Sequence, residues 1–115
     1  MDNLVVVFKA LSDETRLRIM VLLYKRDHCV CELTEILALS QPKISKHLAK
    51  LKDLGLIESR RKQLYIYYHI NKEYTFLSYI LQYIDQALDT YPQLYQDHKA
   101  LSQCTLIETK ADDKG

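Results

Sequence analysis

Residues 40–55, SQPKISKHLAKLKDLG, mark out one helix at both ends. Ser40 is a side-chain N-cap, and Pro42 falls in the first turn, where its missing N–H costs little. Gly55 stands where a left-handed residue ends a helix. Ile44, Leu48, Leu51 and Leu54 recur at spacings of four, three and three, so they share one inward face. Gln41, Lys43, Ser45, Lys46, His47 and Lys50 are left facing out. Such a helix is built into a core from one side only and shows a basic polar side to the surroundings. Any fold for this chain must leave that side open.

The segments around it narrow the choice. Residues 4–11, LVVVFKAL, suit a strand by their β-branched residues and a short helix by their flanks. Ser12, Asp13 and Glu14 begin a helix, with Leu17, Ile19, Met20, Leu22 and Leu23 inward and an end near Lys25 and Arg26. Residues 31–39 form a second short helix on Leu33, Ile36 and Leu37. After Gly55, residues 56–61 and 64–70 read as two strands, with Arg61, Lys62 and Gln63 at the tip. That tip lacks the glycine that tight hairpins favour. Residues 73–90 are expected to be one long helix with a stripe of Leu77, Ile80, Leu81, Ile84 and Leu88. Phe76, Tyr79 and Tyr83 widen the stripe beyond what one side of a small domain needs, so part of it, including Ile84 and Leu88, is expected to be a subunit seam. Tyr91 and Pro92 break the helix, and residues 93–103 form a last one. The order is mainly α with a small β-hairpin wing, a winged helix-turn-helix. One domain covers residues 1–107, and residues 108–115 are expected to be a flexible polar tail.

Composition agrees. At 115 residues there is room for one core. A hydrophobic share of 48% with 27% charged residues is that of a globular chain. Only 2 Gly and 2 Pro exclude a glycine-lined nucleotide cradle and a loop-rich β-sandwich. No G-x-G-x-x-G, Walker A or G-x-S-x-G motif occurs, and the acids are scattered, so nothing recommends an enzyme. No apolar run approaches the ~18 residues of a membrane span. The N-terminus lacks a basic region before an apolar one, so a cytoplasmic location with reduced thiols is expected.

The net charge of +1 hides a gradient. Residues 41–62 carry seven Lys or Arg against two Asp or Glu, while the segments on either side are net acidic. A positive stretch on a polar helix and hairpin is the footprint of a polyanion-binding face. In a winged helix-turn-helix the second helix enters the major groove. Gln41, Ser45 and His47 are short enough to read base edges, and Lys43, Lys46 and Lys50 suit phosphates. Arg60, Arg61 and Lys62 at the wing tip suit phosphate or minor-groove contact. A helical protein-interaction module docking an acidic partner is the competing class, but it would not need the Gln/Ser/His mix.

Residues 10–19 (ALSDETRLRI), 40–48 (SQPKISKHL) and 54–57 (LGLI) resemble the ArsR/SmtB family of metal-responsive repressors. The resemblance covers roughly residues 4–90. It implies a homodimer on double-stranded operator DNA, paired through the first and late helices, with repression relieved by an inducer and no cofactor required. Cys29-Val30-Cys31-Glu32-Leu33 resembles the thiolate motif of the arsenic- and antimony-responsive branch. Where those members often carry a third Cys, this chain has Thr34, which leaves Cys104 as the candidate third ligand. Soft thiolates suit As(III) or Sb(III), with Cd(II) or Zn(II) as further candidates. The runner-up is a thiol redox or reactive-sulfur sensor joining Cys29 or Cys31 to Cys104. His28 abuts the pair and could complete a Cys/His zinc set, although a loop imidazole is expected at the surface. The family's carboxylate–imidazole site on the late helix is not expected, because Ala87 stands where a His would join Asp85. On a regular helix, residues two apart point about 200° away from each other. One ion can therefore bridge Cys29 and Cys31 only if the helix start is unwound or lies outside regular structure.

Overall fold

The computed structural model of the protein describes residues 2–107; the expected tail, 108–115, lies outside the described residues. The first helix, α1, spans Asp2–Leu11, so the ambivalent N-terminal run is helical. Its carbonyl end is satisfied from the next element. Ser12 Oγ donates to the Lys9 carbonyl at 2.7 Å, and the Arg16 guanidinium donates to the Ala10 and Lys9 carbonyls at 3.2 and 3.3 Å. Bonds of this kind supply partners for carbonyls that a helix end leaves bare.

Helix α2, Glu14–Lys25, is capped by Asp13, whose Oδ2 accepts from the Arg16 N–H at 2.9 Å. That bond is the main reason the Asp13 carboxyl is held below its ordinary pKa. Helix α3 spans Val30–Leu37 with Cys29 as its N-cap, and it stops at Ala38, which takes a left-handed φ of 56°. Helix α4, Gln41–Asp53, starts as expected on Ser40, whose Oγ accepts from the Lys43 N–H at 3.4 Å. Gly55 sits at φ +79°, where an added Cβ would also meet Tyr74 Oη at 3.4 Å. Position 55 thus asks for glycine on conformational grounds.

Strands β1, Ile57–Lys62, and β2, Tyr65–Ile70, pair antiparallel from Ile57 opposite Ile70 to Lys62 opposite Tyr65. The hairpin tip is therefore Gln63-Leu64, not Arg61–Gln63, and Gln63 supplies the positive φ, 57°, without being glycine. Helix α5 covers Thr75–Gln86, a 3-10 turn follows at Leu88–Thr90, and α6 runs over Pro92–Ser102. The expected single helix over 73–90 is thus split near Ala87. Pro92 bars helical backbone at Tyr91. The approach to it tightens into i→i+3 bonds, Thr90 N–H to Ala87 and Tyr91 N–H to Leu88, at 2.9 and 3.0 Å.

Helix α2 lies at the centre, packed against α1, α4, α5, α6 and β2, and Ile19, Met20 and Leu22 on it are fully buried. Leu33, Ile44, Leu48, Leu51, Leu77 and Leu81 close around them. A forked ion pair clasps α6 to α2: Arg18 Nε and Nη2 donate to the two Asp97 carboxylate oxygens at 2.9 and 3.0 Å. Lys25 pairs with Asp85 at 3.0 Å. Leu88 is buried in the core and so offers no surface to a seam as expected, while Ile84 packs on the core and is only partly buried. The outer surface of α1 and α5 is instead carried by Phe8, Phe76, Tyr79 and Tyr83, all exposed, with the Phe8 and Phe76 rings edge to face at 5.4 Å.

Candidate DNA interface and thiol site

The inward stripe of α4 buries Ile44, Leu48 and Leu51, which fixes what its other side can show. Gln41, Lys43, Lys46 and Lys50 are exposed on that side. Gln41 Nε2 donates to Ser45 Oγ at 2.9 Å, so two base-reading candidates hold each other in place. Lys52 extends the basic side toward the wing and donates to Ser59 Oγ at 2.8 Å. His47 departs from expectation. Its side chain is only 16% exposed and its Nδ1 lies 4.0 Å from Asp13 Oδ2, so it faces the start of α2 rather than outward. Burial pushes its pKa below the ordinary histidine value, with the Asp13 carboxylate pulling the other way.

The wing also differs. Arg60, Arg61 and Lys62 all lie on β1, not at the tip. Arg60 reaches back to Asp27 at 3.3 Å, and Arg61 Nε donates to the Gln63 carbonyl at 3.3 Å. Those contacts neutralise or tether two of the three cations expected to meet the backbone of a polyanion. Beside Gln63 the wing shows apolar side chains: Leu64 at the tip is 86% exposed, and Ile66 on β2 is 48% exposed.

The thiol pair sits where the loop after α2 enters α3. Cys29 is extended, φ −92° and ψ 170°, while Cys31 is already helical. Placing one cysteine outside the helix removes the divergence expected of residues two apart. The Sγ atoms face each other at 2.9 Å. Thiolates sharing one tetrahedral ion at ~2.3 Å each lie about 3.7 Å apart, so a small separation of these sulfurs admits an ion without unwinding α3.

His28 does not lie at the surface as expected. It is fully buried, because its backbone pairs with Tyr68 of β2 (N–H to Tyr68 O at 3.2 Å, Tyr68 N–H back at 2.8 Å), which draws it under the wing. Its Nδ1 lies 2.9 Å from Glu32 Oε1, also buried. That pairing engages only Nδ1 and leaves the buried Nε2 without a hydrogen-bond partner; among the described residues His28 and the two cysteines do not gather into a metal-holding set. Cys104 is not brought to the pair either. It is buried beyond Glu35, and burial, together with a hydrogen bond to Glu35, pushes its thiol pKa up. The Thr105 N–H and hydroxyl hold the same carboxylate at 3.1 and 3.4 Å. Among the described residues no three His, Cys, Asp or Glu gather into a group able to hold a metal.

Sequence reasoning missed the Arg18–Asp97 clasp, which joins residues 79 apart, and the bridge between His28 and β2. The one local signal was Glu32, four residues after His28, the spacing of neighbours on a helix face.

Comparison with known proteins agrees with this geometry. Residues 13–59 match the family described as "Bacterial regulatory protein, arsR family". The chain is 44% identical over 84 residues to an arsenic resistance transcriptional regulator of Pseudomonas putida, covering 72% of this chain and 61% of that protein. It is 39% identical over 83 residues to an arsenical resistance operon repressor of Staphylococcus xylosus, covering 72% of this chain and 74% of that protein. The chain spans about three fifths of the length of several such relatives. Among solved structures, it is similar to the homodimeric winged helix-turn-helix DNA-binding domain of a possible ArsR-family transcriptional regulator from Mycobacterium bovis. The TM-score is 0.63 and the identity 26%, over 80% of this chain and 83% of that one. The fold is a winged helix, the relatives are regulators of transcription rather than enzymes, and the chain belongs to the arsR family of bacterial regulatory proteins.

Proposed function

We propose that the protein is a cytoplasmic homodimeric repressor that binds operator DNA through α4 and the wing and lets go when trivalent arsenic or antimony bridges Cys29 and Cys31. The observation that carries this reading is the facing pair of sulfurs, 2.9 Å apart, one short helix ahead of the lysine-lined α4. The names of the relatives point the same way. Zn(II) and Cd(II) suit the site less well, because tetrahedral zinc needs four ligands and the described residues gather no third. A three-coordinate ion needs only one more group. In the reading face we keep Gln41, Ser45, Lys43, Lys46 and Lys50, with Arg61 and Lys62 from β1; His47 serves as a brace to α2.

The coupling route is short. Widening the sulfur pair moves Cys29, whose neighbour His28 is bonded to β2, and Cys31, whose helix leads through Ala38, Leu39 and Ser40 into α4. The wing and the reading helix therefore shift together. An inducer that favours the shifted form ~100-fold supplies about 2.7 kcal/mol, a typical allosteric coupling. The test is fluorescence anisotropy on the protein's own upstream DNA, titrated with arsenite under reducing conditions. Cys29→Ser and Cys31→Ser are expected to bind DNA and ignore arsenite, while Cys104→Ser keeps the response. Release of both Ser variants as readily as wild type ends the sensing reading; loss of response in Cys104→Ser ends the two-thiolate form of it.

A further inference from the structure

The two strands of the wing sort their side chains by face. Neighbours along a strand alternate, and residues directly opposite in an antiparallel pair share a side. Ile57 and Ile70 are opposite and buried, so Ser59 and Arg61 share the inner side with Tyr68 and Ile66. Glu58, Arg60 and Lys62 share the outer side with His69, Tyr67 and Tyr65. The inner side is joined to α4, where Lys52 donates to Ser59. On the outer side the strand's own acid, Glu58, is engaged across the hairpin, 3.2 Å from His69 Nε2. Arg60 is met by an acid from elsewhere. Its Nη2 donates to Asp27 Oδ2 at 3.3 Å, from the loop after α2.

That contact is weak as a fastening. One guanidinium nitrogen is engaged, the distance is long for a charge-assisted bond, and the two side chains are 65% and 36% exposed. An exposed pair of this sort adds little to the stability of a fold. It does decide a charge. While the pair holds, Arg60 and Asp27 sum to zero, and β1 is left with Arg61 and Lys62 as cations for a polyanion.

We propose that Asp27 is a positioning residue of the DNA interface, one that holds Arg60 off the phosphate backbone. This rests on the reading of α4 and the wing as the DNA-binding face, and it does not depend on the thiol pair. Asp27 precedes His28, whose backbone is bonded to Tyr68, so the acid is fixed beside the hairpin and follows the wing wherever it goes. A phosphate reaching Arg60 has to displace a partner already in place and bring its own charge beside the Asp27 carboxylate. Arginine is otherwise well shaped to grip a phosphate. Asp27→Asn keeps the shape of the side chain, removes the charge and frees Arg60 for one more backbone contact.

The test is a double-mutant cycle of Asp27→Asn and Arg60→Gln on the reduced full chain. Fluorescence anisotropy reads binding to the protein's own upstream duplex and to a random duplex of equal length, over a salt series. Asp27→Asn is expected to bind about fivefold more tightly at about 0.15 M salt and to steepen the fall of log K with log salt by about 0.9, the share of one phosphate contact. Both duplexes should gain alike, because phosphate contacts carry no sequence information. In the Arg60→Gln background the same substitution is expected to gain less than about twofold, what a bare charge contributes through screening solvent. A merely structural role for Asp27 would not move the salt slope. Unchanged or weaker binding by Asp27→Asn overturns the proposal, because Asp27 is then a bystander or a guide for Arg60. An equal gain in both backgrounds also overturns it, because the acid then acts through its field alone. A wild type that binds neither duplex overturns the operator reading together with it.

Discussion

Among the described residues, two hold left-handed backbone without being glycine: Ala38 at φ 56° and Gln63 at φ 57°. A side chain there costs roughly 1–2 kcal/mol, partly offset by the larger unfolded-state entropy of glycine. Ala38→Gly and Gln63→Gly are each expected to raise stability by up to about 1 kcal/mol in urea unfolding, and a fall at both would contradict the assigned backbone. Asp13 and His47 predict the response to acid. Both have folded pKa values below their ordinary ones, so each contributes stability that is present above the ordinary value and lost as pH falls. For His47 the loss begins as pH drops below 6.5, where the unfolded chain takes the proton first; for Asp13 it begins only below 3.8. Urea midpoints of His47→Gln are therefore expected to change less between pH 7 and 5 than those of wild type. Asp13→Ala removes a cap and should cost about 1 kcal/mol at neutral pH.

At the scale of elements, α6 is the least self-sufficient piece. Its N-cap, Tyr91, makes no side-chain bond, and Leu94 is its one fully inward apolar residue. What fastens it is Asp97, with a 4% exposed side chain, on Arg18. Breaking a buried pair by removing one partner leaves the other charge stranded and costs ~3–5 kcal/mol. Asp97→Ala is thus expected to destabilise by about 3 kcal/mol and to expose residues 92–107 to proteolysis. Arg18→Met with Asp97→Leu should recover much of that loss. If Asp97→Ala unfolds like wild type and resists protease equally, α6 is held by something else. The hairpin is fastened differently, by the short bridge between His28 and Tyr68, which ties its second strand to the entry of α3. Thiol site and wing are consequently neighbours, although 39 residues separate Cys29 from Tyr68.

For the molecule as a whole, the exposed aromatic surface of α1 and α5 is the patch that a second copy would cover. Tyr79 and Tyr83 are 75% and 65% exposed, so a charge there should leave the monomer folded. Tyr79→Glu with Tyr83→Glu is expected to give folded monomers in sedimentation velocity and to weaken operator binding. Two reading helices joined by a two-fold axis meet major grooves about 34–36 Å apart. Lys46→Ala should then weaken all sequences alike and lower the salt slope by about one unit, the share of a single neutralised phosphate. An unchanged dimer in the double variant places the interface elsewhere.

Order of elements, caps and inward stripes were legible in the sequence because they depend on neighbours within one or two turns. Ser40, Pro42, Gly55 and the Ile44–Leu48–Leu51 spacing state α4 almost completely, and the ArsR-like segments state the family, with Cys29 and Cys31 carrying the chemistry proposed above. Local periodicity does not encode which way a half-apolar helix face turns, so Ile84 and Leu88 went to the core and the exposed aromatics to the surface. The same limit applies to charged and titratable groups. His47 meets Asp13 across 34 residues, Arg60 meets Asp27 across 33, and Cys104 meets Glu35 across 69. Only packing decides such meetings, because they depend on how α2, α3 and the wing stack rather than on any run of residues. The sulfur pair shows both sides. Its two cysteines are plain in the sequence, but their convergence exists because the bridge to β2 holds Cys29 outside the helix that Cys31 has already joined.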